Sequence, residues 1–190
     1  MGAAASFQDG RLSEMTWPEW VTAMHITFGE STASKWACRV QEQPQTTGPW
    51  DQHQISEFLD NARIPIRVSS MGSNGPIVQS LWFLFNGEAI WCATQASSVL
   101  AQRLGVDSRI GFEVAADQEP YRGVRGTGQA TIHPDLAEGT LRRLIQKYQG
   151  DDETELSRWL LSRLDKEVAI RISPTRLATW DFSGRMGSGG

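Results

Sequence analysis

The chain has 190 residues, 39% hydrophobic and 21% charged, with a formal net charge of −4. That length suits one domain with a sizeable core plus an appendage, and the acidic balance excludes a general nucleic-acid binder, which needs a basic face. No apolar run reaches the ~20 residues of a membrane span, no secretory leader is readable, and a cytoplasmic protein is expected. The two cysteines, Cys38 and Cys92, fall in no CxxC or His-rich spacing, so neither a structural zinc site nor an oxidising compartment is implied.

The first six residues, Met1-Gly2-Ala3-Ala4-Ala5-Ser6, fit a loose myristoylation pattern but read as a flexible start. Four of the eight tryptophans, Trp17, Trp20, Trp36 and Trp50, fall in the first fifty residues. Thr16 before Trp17-Pro18-Glu19 has the form of a helix N-cap with a glutamate three positions on, and predicts a helix over residues 17–28 closed by Gly29. Residues 41–54 are polar, with Pro44 and Gly48, and read as a linker. Ile55, Phe58 and Leu59 then suggest a short helix.

Ile64, Ile66 and Val68 alternate with polar neighbours, the period of a half-buried strand. Residues 71–76 are dense in turn formers. Residues 77–85 are nearly apolar throughout and predict a second strand buried on both faces, and Asn86-Gly87 signals a hairpin into a third strand over 88–94. Cys92 lies in that strand as a buried small hydrophobe. A helix over 97–104 and strands over 109–115 and 121–132 follow. The long strand carries Gly123, Gly126 and Gly128, which mark a bulge or barrel corner.

Helices are expected over 135–148 and 151–164, the second with an acidic start that suits its positive N-terminal end. Val168, Ile170 and Ile172 alternate again. Pro174 interrupts, and a last strand covers 176–182. The fold class is mainly β with helices (α+β): an antiparallel, Greek-key-like small barrel with an N-terminal helical extension. Residues 1–53 form the extension and linker, 54–186 the barrel, and 187–190 (Gly-Ser-Gly-Gly) a flexible tail.

Four ordered motifs over residues 54–186 carry a family resemblance. They are Leu81-Trp82-Phe83 before Asn86-Gly87; Ile90-Trp91-Cys92-Ala93-Thr94; Tyr121-Arg122-Gly123-Val124-Arg125-Gly126; and Pro174-Thr175-Arg176 leading to Trp180-Asp181-Phe182. Together they resemble the pyridoxamine 5′-phosphate oxidase-like split-barrel superfamily. The resemblance implies a homodimer holding FMN in two clefts between subunits, with deazaflavin, haem or no cofactor as alternatives. The bound group would carry hydride or electron chemistry on a small organic substrate, and the second function class is a cofactor-free ligand-binding or catalytic cleft.

The resemblance also assigns candidate cofactor-binding residues. Val78, Gln79, Ser80, Leu81 and Trp82 form the strand whose backbone lies along the flavin ring. Gln79 and Ser80 are polar in an apolar strand and need partners, while Trp82 and Phe83 read as core. Thr94, Ser97 and Ser98 fall where hydroxyls gather around the phosphate, at a helix start suited to an anion; Ser97 or Ser98 also serves as a helix cap. The family places an Arg-Lys pair after this serine, whereas Val99 and Leu100 stand here. Losing that pair removes charge-assisted contacts of ~1.5–3 kcal/mol each. Arg103 is the expected substitute, with Arg63, Arg67 and Arg122 as further cations within reach. Trp180 is a candidate cover for the cofactor, and Arg185 a candidate substrate contact. His133, at a strand-to-helix junction, is the residue a haem reading would use; otherwise it is surface structure.

Overall fold

The structure, a computed structural model, describes residues 43–151 and 153–186. The helix expected over 17–28 and the tail over 187–190 lie outside the described residues. Among the described residues no helix is long and apolar enough to cross a membrane.

The elements run β1 (Gln45–Thr47), α1 (Gln52–Asn61), β2 (Ile66–Ser70), β3 (Ile77–Leu81), β4 (Leu84–Phe85), β5 (Ile90–Gln95), α2 (Val99–Val106), β6 (Arg109–Ala115) and β7 (Arg122–His133). A short 3-10 turn leads into α3 (Ala137–Gln149), followed by α4 (Glu155–Leu161), β8 (Glu167–Asp181) and α5 (Ser183–Met186). The sheet order is β3-β2-β6-β7-β8-β5-β4, and β1 pairs in parallel with β8. All the other pairings are antiparallel.

The two ends of this path, β3 and β4, are separated in sequence by only Trp82 and Phe83. One bent strand therefore supplies both edges. It pairs with β2 before the bend and with β5 after it, so the sheet curls into a barrel with a seam where β3 and β5 approach without a ladder between them. This is a split barrel. Asn86 closes the β4–β5 hairpin by accepting the Glu88 and Ala89 N–H groups at 3.1 and 2.7 Å, with Gly87 at φ 86°.

Inward positions fill one core: Ile66 and Val68 from β2, Ile90 and Cys92 from β5, Ile110, Phe112 and Val114 from β6, and Ile170 and Ile172 from β8. Two capped helices close it. Asp51 and Gln54 form a reciprocal capping box at the start of α1, which buries Ile55 and Leu59 one turn apart. Ser98 caps α2, accepting the Ala101 N–H at 3.1 Å, and α2 buries Leu100 and Leu104. The amphipathic α3 lays Leu141, Leu144 and Ile145 over the outside of β5 and β8.

Three sequence expectations are corrected. Residues 77–85 are not one strand buried on both faces. They break at Trp82-Phe83, and Val78 is 66% exposed because the outer face of β3 borders a cleft. Pro174 does not end a strand. It sits opposite Gly128, beside a register shift between Thr127 and Gly128, so a bulge absorbs its missing N–H and β8 runs unbroken for 15 residues. The polar stretch read as a linker carries β1, and Trp50 after it donates its indole N–H to Asp181 Oδ2 at 3.2 Å.

Candidate functional site

Residues directly opposite one another on paired strands present their side chains to the same face of a sheet. The register therefore draws two rows across the outer face. One runs Val78, Ser69, Gly111, Thr127, Arg176 over β3, β2, β6, β7 and β8. The next runs Ser80, Arg67, Glu113, Arg125, Ala178 over the same strands. On β1, Gln45 and Thr47 extend the two rows beside Arg176 and Ala178. All of these except Ser80 line a cleft of about 790 Å³.

The cleft is cationic. Arg67, Arg125 and Arg176 face one carboxylate, Glu113, in a chain that is net negative overall. Arg67 and Glu113 pair at 3.6 Å with both side chains partly exposed, an interaction of ~0–1 kcal/mol. Arg125 lies over the Trp180 ring, 5.7 Å from its centroid. Among the described residues Arg176 has no carboxylate partner.

The sequence-predicted residues divide around this cleft. Val78 lines it. Ser80 stands at the end of the second row, opposite Arg67. Gln79 and Leu81 turn inward, opposite Val68 and Ile66. Gln79 Oε1 and the nearby inward Ser70 Oγ are buried without a hydrogen-bond partner among the described residues. Thr94 lies opposite Val168 on β5, across the seam from β3. The exposed Ser97 and the capping Ser98 follow at the start of α2. Trp180 sits on the outer face beyond Arg125, opposite Gly123.

The expected cation pair is replaced by two side chains with different duties. Val99 is 49% exposed, whereas Leu100 is 1% exposed in the core. Arg103 is engaged with backbone: its guanidinium donates to the Ser70 and Gly75 carbonyls at 3.2 and 3.3 Å, tying α2 to the β2–β3 turn. Of the further cations, Arg67 lines the cleft, Arg63 stands near Lys147, and Arg122 lies opposite Asp181 in the β7–β8 register. Arg185 lies over the Phe182 ring.

Sequence reasoning passed over Arg125, Arg176, Gly111 and Thr127 as site residues. The available signal was Gly111, a glycine in mid-strand where another backbone or a ligand approaches closely.

Burial also shifts titratable groups outside the cleft. At the bend, Trp82 stacks on Tyr148 with centroids 4.9 Å apart, and Lys147 lies 4.3 Å from the centre of the Phe83 ring. Burial pulls Lys147 down to about 8, with Asp60 opposing, and pushes Tyr148 up to about 12. His133 contacts Thr131 Oγ1 at 2.8 Å, its ring 5.7 Å from that of Trp91, and burial lowers its pKa. It does not line the cleft.

A cofactor ring along β3 fits what is present. β3 ends the sheet path, so the side of its backbone that faces the seam carries no ladder, and on its other side the cleft has a small-residue floor open at Gly111. A phosphate at α2 fits less well, because the helix start offers N–H groups and hydroxyls but no cation.

No protein-family profile matches the chain, and no curated protein is similar to it in sequence. Solved structures do match. A conserved hypothetical protein of Mycobacterium tuberculosis is 25% identical, with a TM-score of 0.63 over 78% of this chain and 94% of that one. An F420 reductase is 20% identical, with a TM-score of 0.52 over 64% of this chain and 94% of its own. A putative pyridoxamine 5′-phosphate oxidase of Listeria innocua is 12% identical, with a TM-score of 0.54 over 67% of this chain and 96% of that chain.

Proposed function

We propose that this chain, a split barrel of the pyridoxamine 5′-phosphate oxidase-like superfamily, is a flavin- or deazaflavin-dependent oxidoreductase acting on a small organic molecule. Its cofactor lies along β3 in the outer-face cleft, which a second copy of the chain closes. The observation that carries this reading is that the cleft reaches Val78 on β3, the strand that ends the sheet path. Similarity to an F420 reductase agrees with it.

When bound, such a ring supplies two-electron hydride chemistry. The residues here do the holding. Backbone groups of β3 would hold such a ring, Gly111 and Ser69 leave room over the sheet, and the arginine-bearing rows set a positive field that favours a negatively charged ligand.

The test is an absorption spectrum of the purified full-length protein, then titration with FMN and with the deazaflavin, and a molar mass in solution. A yellow protein, or micromolar binding of either cofactor, on a particle of twice the chain mass is the expected result. A colourless monomer that binds neither ends this reading.

A second reading, a cofactor-free ligand-binding cleft, is favoured by Leu100 and Ser98, which serve the core and the helix cap where the superfamily resemblance puts phosphate contacts. Mass spectrometry of small molecules released from the purified protein separates the two. A haem bound through His133 would give a Soret band that disappears in His133→Ala.

A further inference from the structure

We propose that the outer-face cleft is a directional trough with its own anion anchor: a ligand lies across the sheet from β3 towards β8, and Arg176, flanked by Arg125, holds its phosphate-type group. The placement of a flavin ring at the β3 end rests on the proposed function. The anchor rests on the cleft alone.

The two rows differ in a way that gives the trough direction. The row from Val78 through Ser69, Gly111 and Thr127 carries small, uncharged side chains and meets a charge only at its far end, Arg176. The neighbouring row is the charged one, and its carboxylate Glu113 is already matched by Arg67. Thr127 stands directly opposite Arg176, and Arg125 is diagonal to it across the same pair of strands. Thr127 and Arg176 therefore stand together at one end of the trough, and Arg125 stands one row away with its guanidinium over Trp180.

Size supports the assignment. Four inter-strand steps of about 4.8 Å put Val78 at most ~19 Å from Arg176 along the curled sheet, a gap that the long arginine side chain shortens further. That span suits a fused heterocycle carrying a phosphorylated side chain, not an inorganic ion alone. Guanidinium is suited to such an end group because its planar fork donates two parallel hydrogen bonds to an oxyanion. The same placement accounts for the chain having a leucine at position 100: the cation is supplied from β8 instead of from α2.

Two variants probe the trough with little risk to the fold. Arg176 is exposed, so Arg176→Gln removes charge without opening the core. A Cβ at Gly111 meets nothing nearer than Ser69 Cβ at 3.7 Å, so the floor has room for a side chain and Gly111→Val fills it. The full-length protein and these variants are titrated calorimetrically with inorganic phosphate, with FMN and with riboflavin, which lacks the phosphate. Arg142→Gln on α3 is the charge control.

The expected result is FMN bound at least tenfold more tightly than riboflavin, with that preference abolished in Arg176→Gln, reduced in Arg125→Gln and kept in Arg142→Gln. Gly111→Val weakens both flavins and leaves inorganic phosphate unaffected. Equal binding of FMN and riboflavin, with phosphate binding lost in Arg176→Gln, supports the anchor and assigns the anion to the substrate. Phosphate binding lost in Arg176→Gln when neither flavin binds supports the anchor and refutes the flavin reading. The proposal is overturned if wild type binds neither phosphate nor FMN, or if Arg176→Gln with Arg125→Gln binds them as wild type does. It is also overturned if those changes only dissociate an oligomer, because the arginines then belong to a protein interface.

Discussion

Arg103 is the residue on which a sequence-based and a structure-based reading diverge most, and a double-mutant cycle with Gly72 decides between them. In the structure its guanidinium donates to the Ser70 and Gly75 carbonyls at 3.2 and 3.3 Å and passes directly over Gly72. A Cβ at Gly72 would stand within 2.6 Å of Arg103 Nε, too close for the side chain to remain. Hydrogen bonds from charged donors contribute ~1.5–3 kcal/mol each. Both bonds here are long and the side chain is only half-buried, so Arg103→Ala is expected to cost roughly 2–4 kcal/mol, a fall of about 5–15 °C in Tm for a domain of this size.

Gly72→Ala should cost nearly as much, less the ~0.4–1 kcal/mol that alanine gains by restricting the unfolded chain, because it evicts the same guanidinium. In the Arg103→Ala background the eviction has already happened, and Gly72→Ala should then be neutral or slightly stabilising. Urea denaturation of the four proteins measures this coupling, expected at about 2–3 kcal/mol. Costs that simply add would refute the clamp. An Arg103→Ala protein of wild-type stability that has lost phosphate binding would return Arg103 to the cofactor site.

Two further predictions follow from the same packing. Gly126 tolerates no Cβ, which would overlap the Arg176 carbonyl and lie 2.7 Å from Phe112 Cζ. Gly126→Ala should therefore destabilise by roughly 1–3 kcal/mol or more in thermal unfolding, while Gly111→Ala on the neighbouring strand stays neutral. Lys147 is held at about 8 by burial against 10.5 in an unfolded chain. Between those values the unfolded state holds the proton that the folded state has released, so this group makes stability rise with pH across that window. Lys147→Met should remove that rise. The difference between wild type and variant from pH 7 to 10 isolates it, since it cancels the opposite slope of buried Cys92, raised to about 12 from 9.0. A pH-independent difference would show that Lys147 keeps its ordinary titration.

The barrel was legible because its signals are local. β6 coincides with the strand expected over residues 109–115, and the Asn86-Gly87 hairpin fell where expected, since Asn86 and a left-handed Gly87 make that turn by themselves. Non-local elements were hidden. β1 is three exposed residues, Gln45–Thr47, with no apolar period, and it exists because the far half of β8 continues past the end of β5 and offers a partner. Pro174 read as a strand break for the same reason. Only the register with Gly128 reveals the bulge that accommodates it. The site suffered most, because its floor is assembled from five strands whose relevant residues include a glycine, a serine and a threonine. Such residues carry no chemistry until the register aligns them.

Restoring the superfamily's cation pair at Val99 and Leu100 would not simply rebuild a phosphate site. Val99→Arg places a guanidinium in solvent at the start of α2, where the helix's positive end disfavours it by ~0.3–1 kcal/mol. Leu100→Lys drives an ammonium into the space between α2 and the barrel, among Leu104 and the β-sheet core. An unpaired buried charge costs several kcal/mol, so that variant should unfold before it binds anything. In this chain position 100 holds α2 onto the barrel, and the arginines of the outer-face cleft stand on other elements, β2, β7 and β8, whose inward neighbours are already committed to packing. Position 100 cannot serve both the core and a phosphate, whereas the proposed anchor on β7 and β8 would leave the core intact.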